Sequence, residues 1–169
     1  MRLTITANVS VDGVMQGLGG AAAFLFGRRT YEIFARSWGA IPEMSTSSIG
    51  VALNSRPRYV VSTSLTDPQW AGTSVLSGDV AAAVGDLKAQ QDGELVVPGS
   101  GALVRWLLAN DLVDQLDLLT YPVIISQGTR LFPDSGPDIT LDLVESRAFP
   151  EGITLQVYRP AVRPKYATS

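Results

Sequence analysis

Gly27-Arg28-Arg29-Thr30 places two guanidinium groups directly after a short apolar run and directly before residues with helical spacing. A helix starting there turns its free backbone N–H groups, and the positive end of its dipole, toward the arginines' own ground. Phosphate binding is the chemistry this favours; the plain alternative is an ordinary helix start with solvated arginines. Gly99-Ser100-Gly101-Ala102-Leu103 repeats the arrangement, with small residues where a pyrophosphate could approach the backbone. It lacks the full GxGxxG spacing, which argues against a standard Rossmann dinucleotide domain and leaves a tight turn as the plain alternative. Ser62, Thr63 and Ser64 follow another apolar run and would add hydroxyls at the same sheet edge, or form only a polar loop. Asp12-Gly13 offers a carboxylate for a substrate, although Asp-Gly more commonly marks a turn. Gln127-Gly128-Thr129-Arg130 sets a basic residue beside a glycine that permits a bulge, or simply connects two strands.

Composition narrows the mechanisms these residues could serve. The chain has no cysteine and no histidine, so disulfides, thiolate nucleophiles, imidazole bases and the usual zinc and haem ligands are absent. What remains is carboxylate or tyrosine acid–base work, carboxylate-bound magnesium, or an organic cofactor that carries the difficult step, such as hydride transfer. Thirteen basic residues against sixteen acidic ones give a net charge of −3, and the basic residues are scattered, so no positive stripe is expected for nucleic acid. No apolar run approaches the roughly 20 residues of a membrane helix, and the N-terminus reads as a strand rather than a signal peptide; a cytoplasmic protein without membrane contact is expected.

The elements that must hold these groups alternate along the chain. Leu3, Ile5, Ala7 and Val9 alternate with Thr4, Thr6 and Asn8, a strand ended at Asp12-Gly13. Ala21–Phe26 reads as a buried strand and leads into a helix with Tyr31, Phe34 and Trp38 on one face. Arg58–Ser62 is a further strand, and Asp79 opens a helix bearing Val80, Ala83, Val84 and Leu87. Glu94–Pro98 then leads through Gly99-Ser100-Gly101 into a helix carrying Leu103, Trp106 and Leu107. Past Asn110, the segments Gln115–Ser126, Thr140–Ser146 and Ile153–Tyr158 are all strand-like. Such an order predicts an α/β protein: a mostly parallel central sheet, antiparallel strands at one edge, and helices on both faces. One domain over residues 1–160 and a flexible tail over 161–169 are expected.

One connection is too short for this scheme. Parallel neighbours need a crossover of a dozen or more residues, and Val14–Ala22 supplies nine, many of them glycine or alanine. Either the first two strands are not neighbours, or residues are absent between Val14 and Ala23; the second reading is the expectation taken forward.

In chain order, NVSVDG (Asn8–Gly13), FGRRTYE (Phe26–Glu32), YVVSTSL (Tyr59–Leu65), LVVPGSGALVRWLL (Leu95–Leu108) and LVDQLDLLTYPVIISQGTRLF (Leu112–Phe132) resemble the dihydrofolate-reductase-like family, of the type of the RibD C-terminal reductase domain of riboflavin biosynthesis. The resemblance runs nearly to Pro160 and is specific for the family, much less so for a substrate. It implies a three-layer dihydrofolate-reductase-like fold with NADPH across the carboxyl edge of the sheet. Phosphates would be held by Gly27, Arg28, Arg29 and Thr30 and by Gly99, Ser100, Gly101, Ala102 and Leu103, with Ser62, Thr63 and Ser64 beside the adenosine end. The two arginines would favour NADPH over NADH through the 2′-phosphate. In true dihydrofolate reductases a carboxylate on the first helix meets the substrate; that region is curtailed here, and Asp12 is the remaining candidate for a catalytic group. No metal is implied.

The expected activity is an NADPH-dependent reductase acting on a small heterocyclic or sugar-derived substrate, similar to the 5-amino-6-(5-phosphoribosylamino)uracil reductase of riboflavin biosynthesis. The alternatives are a non-catalytic dinucleotide-binding or sensor protein of the same fold, and a phosphate-binding dimerisation module. A homodimer is expected through the β-rich end, with Leu118, Tyr121, Val123 and Ile125 as the contact residues.

Overall fold

Apolar residues alternate along the strands so that both faces of the sheet must be covered, and the helices of a computed structural model supply that cover on two sides. Residues 1–8, 21–90, 92–98, 101–124, 131–132 and 138–161 are described. The elements are β1 (Arg2–Asn8), β2 (Ala21–Gly27), α1 (Arg28–Ser37), α2 (Pro42–Ser45), α3 (Ser48–Ser55), β3 (Arg58–Val61), β4 (Thr73–Leu76), α4 (Val80–Gln90), β5 (Glu94–Val97), α5 (Gly101–Ala109), β6 (Gln115–Thr120), β7 (Leu141–Ala148) and β8 (Thr154–Pro160).

The strands form one eight-stranded sheet in the order β4-β3-β2-β5-β1-β6-β8-β7. From β4 to β6 every pairing is parallel, and β8 and β7 are added antiparallel at the β6 side. The expected α/β architecture is therefore present, with α2, α3 and β4 as elements that the sequence reading missed. Residues 162–169, the end of the expected tail, lie outside the described residues, whereas Ala161 is still tied in by its N–H to the Thr140 carbonyl at 2.8 Å.

The first two strands are not neighbours, because β5 pairs with both of them and lies between. Adjacency, from which the expectation of absent residues between Val14 and Ala23 was argued, is therefore not what the short connection has to satisfy. Residues 9–20 lie outside the described ones; fully extended, twelve residues reach about 40 Å. Returning along a seven-residue strand and stepping two places across a sheet takes only about 25 Å, so the chain as written can make the link.

Two apolar clusters sandwich the sheet. On one face Leu3, Ile5, Ala23, Leu25, Leu95 and Val97 meet Val84 and Leu87 of α4 and Leu103, Val104 and Leu107 of α5. On the other, Phe24, Phe26, Val60 and Val96 meet Tyr31 of α1, Leu53 of α3 and Trp70. The alternation is the strand period itself: Ala23 and Leu25 go to one face, Phe24 and Phe26 to the other. Two of these helices, α3 and α4, start at a side-chain cap. The Ser47 side chain accepts from Gly50 N at 3.1 Å at the start of α3, and Asp79 Oδ1 accepts from Ala82 N at 3.0 Å at the start of α4. Among the described residues no helix is long and apolar enough to cross a membrane.

Candidate active site at the carboxyl edge of the sheet

Parallel strands bring their carboxyl ends to one edge, and the order β3-β2-β5-β1 makes the predicted turns adjacent there. Ser62, Thr63 and Ser64 follow β3, Gly27 closes β2 as Arg28 opens α1, and Gly101 opens α5 just after β5. With about 4.8 Å between strands, these turns line roughly 10 Å of edge. Gly99 and Ser100 lie outside the described residues, as does Asp12.

Gly27 is the N-cap of α1 in an extended conformation (φ −77°, ψ 153°), and no side chain caps the helix. The first-turn N–H groups are thus left for another acceptor. Arg28 and Arg29 are exposed and Thr30 is half-buried. Arg28 Nη1 donates to Ser64 Oγ at 2.9 Å, which joins the β2–α1 turn to the loop after β3. Arg28 Nε also lies 3.5 Å from Glu32 Oε1 one helical turn on, a screened surface pair that orients the guanidinium without burying it.

The predicted residues divide by what they can offer a ligand. The Ser62 hydroxyl is buried and already accepts from the N–H groups of Ser64 (3.2 Å) and Leu65 (3.0 Å), so it shapes the loop that presents Thr63 and Ser64, both of which are exposed. Leu103 packs into the core with its side chain, leaving its early-helix N–H as the group it can present, while Ala102 is exposed. Among the described residues no cluster of three acidic side chains is placed to hold a metal ion.

A polar network behind α1 was not legible in the sequence. Arg58, the first residue of β3, is 3% exposed and has its guanidinium carbon 4.6 Å from the centre of the Trp70 ring. Its Nη1 donates to the carbonyls of Leu53 and Arg56, the latter at 2.9 Å, satisfying the end of α3, while Nε has no partner. Burial lowers the Arg58 pKa from its ordinary value, opposed by the nearby Tyr31. Trp70 N in turn donates to the Tyr31 hydroxyl at 3.0 Å, and Trp70 Nε1 to Asn54 Oδ1 at 2.7 Å. Tyr31 lies in the first turn of α1, so this network anchors the helix whose free end carries Arg28 and Arg29.

Burial pushes the Asp117 carboxyl on β6 above its ordinary value, while the Gln115 amide at 2.8 Å and Arg2 pull it down and Glu145 reinforces the rise. It stands opposite Thr6 of β1 and Val157 of β8 on the sheet.

Known proteins share both sequence and shape with this chain. A family model of the RibD C-terminal domain matches residues 16–155. The uncharacterized protein YyaP of Bacillus subtilis (strain 168) is 23% identical over 182 residues, covering 93% of this chain and 94% of that protein. Among solved structures, a putative riboflavin biosynthesis protein from Shewanella sp. PV-4 superposes with a TM-score of 0.76 at 16% identity, over 96% of this chain and all of that one. A dihydrofolate reductase from Enterococcus faecalis, solved with NADP(H), gives a TM-score of 0.60 at 16% identity, over 95% and 97% of the two chains. At such identities the structures speak for the fold, which is dihydrofolate-reductase-like.

Proposed function

Because the chain belongs to the RibD C-terminal domain family, a family of reductases with the dihydrofolate-reductase-like fold, we propose that it is a cytoplasmic NADPH-dependent reductase of a small heterocyclic or sugar-derived substrate. The observation that carries this reading is the Arg28–Ser64 contact beside the uncapped start of α1. It gathers a guanidinium, a hydroxyl and free backbone N–H groups at the carboxyl end of two neighbouring parallel strands.

The residues present fit a dinucleotide. An uncapped helix start is unsatisfied without an acceptor, and the exposed Arg28 and Arg29 add the positive charge that a 2′-phosphate needs. The N–H groups of Ala102 and Leu103 at the start of α5 supply a second set of donors at the end of β5, next to β2. When bound, the nicotinamide would supply a hydride to the substrate. The chain's own part is to fix the phosphates at these two helix starts, orient the cofactor along the edge, and hold the substrate toward the β1 end of it. The Asp12 side chain follows β1 in sequence and, in its protonated carboxylic acid form, is the proposed source of the accompanying proton, leaving a carboxylate.

Isothermal titration with NADPH and NADH tests the cofactor half directly, and NADPH oxidation against a panel of pyrimidine, pterin and phosphorylated sugar-amine compounds tests the reductase half. Absence of NADPH binding sinks the whole reading. Binding without turnover on any member of the panel favours the non-catalytic dinucleotide binder.

A further inference from the structure

The loop of residues 63–71, between β3 and β4, carries the exposed Thr63 and Ser64. Among the described residues no backbone–backbone hydrogen bond ties this loop to the rest of the molecule. Side chains hold it instead. At its near end the buried Ser62 hydroxyl accepts from Ser64 N and Leu65 N, and Arg28 Nη1 donates to Ser64 Oγ at 2.9 Å. At its far end the Tyr31 hydroxyl accepts from Trp70 N at 3.0 Å, a bond buried at both partners. Leu65 and Trp70 turn their side chains into the cluster that holds Phe24, Phe26 and Tyr31.

Both ends of the loop are thus tied to the first turn of one helix. Arg28 and Tyr31 stand three residues apart in α1, the spacing that sets two side chains side by side on a helix. They reach Ser64 and Trp70, which lie six residues apart on the loop. One contact would let the loop pivot; two fix both its place and its orientation relative to α1.

The Tyr31 contact is the stiffer of the two. The Tyr31 ring is buried 6.2 Å from the Trp70 ring, which also packs 6.2 Å from Phe26 and under the Arg58 guanidinium. Trp70 Nε1 donates to Asn54 Oδ1 at 2.7 Å, and Asn54 Nδ2 donates to the carbonyl of Trp38, the C-cap of α1, at 2.9 Å. Trp70 is therefore held from the start and the end of the same helix. Arg28 is exposed on a flexible stem beside Glu32, and such a surface group does not fix a loop by itself.

We propose that Tyr31 is a positioning residue for the cofactor phosphate: its hydroxyl holds the loop so that Ser64 and Arg28 converge on one point, and so sets the preference for a 2′-phosphate. This role rests on the cofactor reading given above. Tyr31 is turned into the core, so its effect passes through Trp70, the loop and Ser64 to Arg28. Without the hydroxyl, Trp70 N is a buried donor with no acceptor, and the loop gains by shifting that group toward water. Ser64 shifts with it, while the ring of a phenylalanine still fills the core.

Isothermal titration of NADPH and NADH into the wild type, Tyr31→Phe, Arg28→Ala and the double variant tests this. Tyr31→Phe should weaken NADPH roughly five- to tenfold, the effect of one hydrogen bond, and NADH less. In the Arg28→Ala background the same substitution should change NADPH affinity by no more than about twofold, because the group it positions is gone. A purely structural tyrosine would act equally on both cofactors and in both backgrounds. Amide hydrogen exchange gives a readout that needs no ligand: Tyr31→Phe should speed exchange at Ser64, Leu65 and Trp70 and leave β2 and β5 unchanged. It also tests the wild type alone, where NADPH should slow exchange at Ser64 and Trp70 together. A wild type that binds no NADPH removes the cofactor reading and this role with it. Where NADPH binds, the role of Tyr31 alone is overturned by any of three results: an unchanged NADPH-to-NADH ratio in Tyr31→Phe, equal losses with and without Arg28, or protection at Ser64 with none at Trp70.

Discussion

Arg28 and Ser64 are 36 residues apart in sequence, yet the Arg28 Nη1 lies 2.9 Å from the Ser64 hydroxyl. The contact exists because β2 and β3 are parallel neighbours with Gly27 opposite Val61, which brings the residues that follow each strand to the same level of the sheet edge.

Arg28 is therefore expected to hold phosphate from a prepared orientation. Arg28→Ala should weaken NADPH binding by roughly ten- to a hundredfold, the loss of one or two hydrogen bonds to a charged group. NADH, which lacks the 2′-phosphate, should be affected less, and so should it be in Arg29→Ala. Titration of both cofactors into both variants checks this, and an unchanged NADPH-to-NADH affinity ratio assigns the arginines elsewhere.

Arg58 should matter for stability out of proportion to its place at a strand start. Arg58→Ala strips the partners from the Leu53 and Arg56 carbonyls and removes the ring contact with Trp70. A cost of about 2–4 kcal/mol follows from an unsatisfied buried carbonyl together with a lost cation–π contact. Urea unfolding measures it; a change below about 0.5 kcal/mol would show that the network is idle.

Gly72 and Gly78 separate backbone strain from crowding. Both have positive φ, +74° and +75°, but a Cβ at Gly72 would sit 2.8 Å from Arg58 Nη2, whereas one at Gly78 meets nothing within 4 Å. Alanine at Gly78 should cost only the left-handed penalty of about 1–2 kcal/mol. Alanine at Gly72 should cost more, because the guanidinium is held by carbonyls and the Trp70 ring and has nowhere to retreat. Equal losses in thermal unfolding would contradict this.

Asp117 makes stability depend on pH in a direction opposite to most paired carboxylates. Burial raises its folded-state pKa above the unfolded one, so the folded protein binds this proton more tightly. Its contribution is most favourable below the unfolded value, declines as pH rises through the folded value, and is constant above it. Asp117→Asn keeps an acceptor for the Gln115 amide and cannot ionise. The variant should be more stable than the wild type at neutral pH, with the difference vanishing in acid; denaturant midpoints from pH 3 to 8 decide it.

Much of this protein was legible in local pattern. Strand alternation in Leu3–Ala7, the helical spacing of Tyr31, Phe34 and Trp38, and the cap at Asp79 are properties of a few consecutive residues, and each element formed where they placed it. α3 escaped because Ser48–Ser55 carries little amphipathic contrast and is set by the Ser47 cap, and β4 because four residues, Thr73–Leu76, are too short to show a period. The strand-to-helix turns of the candidate site were visible because glycine and arginine at such a junction have a local meaning.

Sequence by itself thus determined the alternation of elements, the fold class and the strand-to-helix junctions at Gly27 and Gly101, since these rest on periodicity and on residue types at junctions. Tertiary structure alone decided that β5 lies between β1 and β2, that Arg58 reaches Trp70 rather than solvent, and that β7 is the last strand of the sheet among the described residues. Strand order, burial of a charge and exposure of an edge depend on which distant segments meet, and a pairing between residues many positions apart leaves no trace in the spacing of either one.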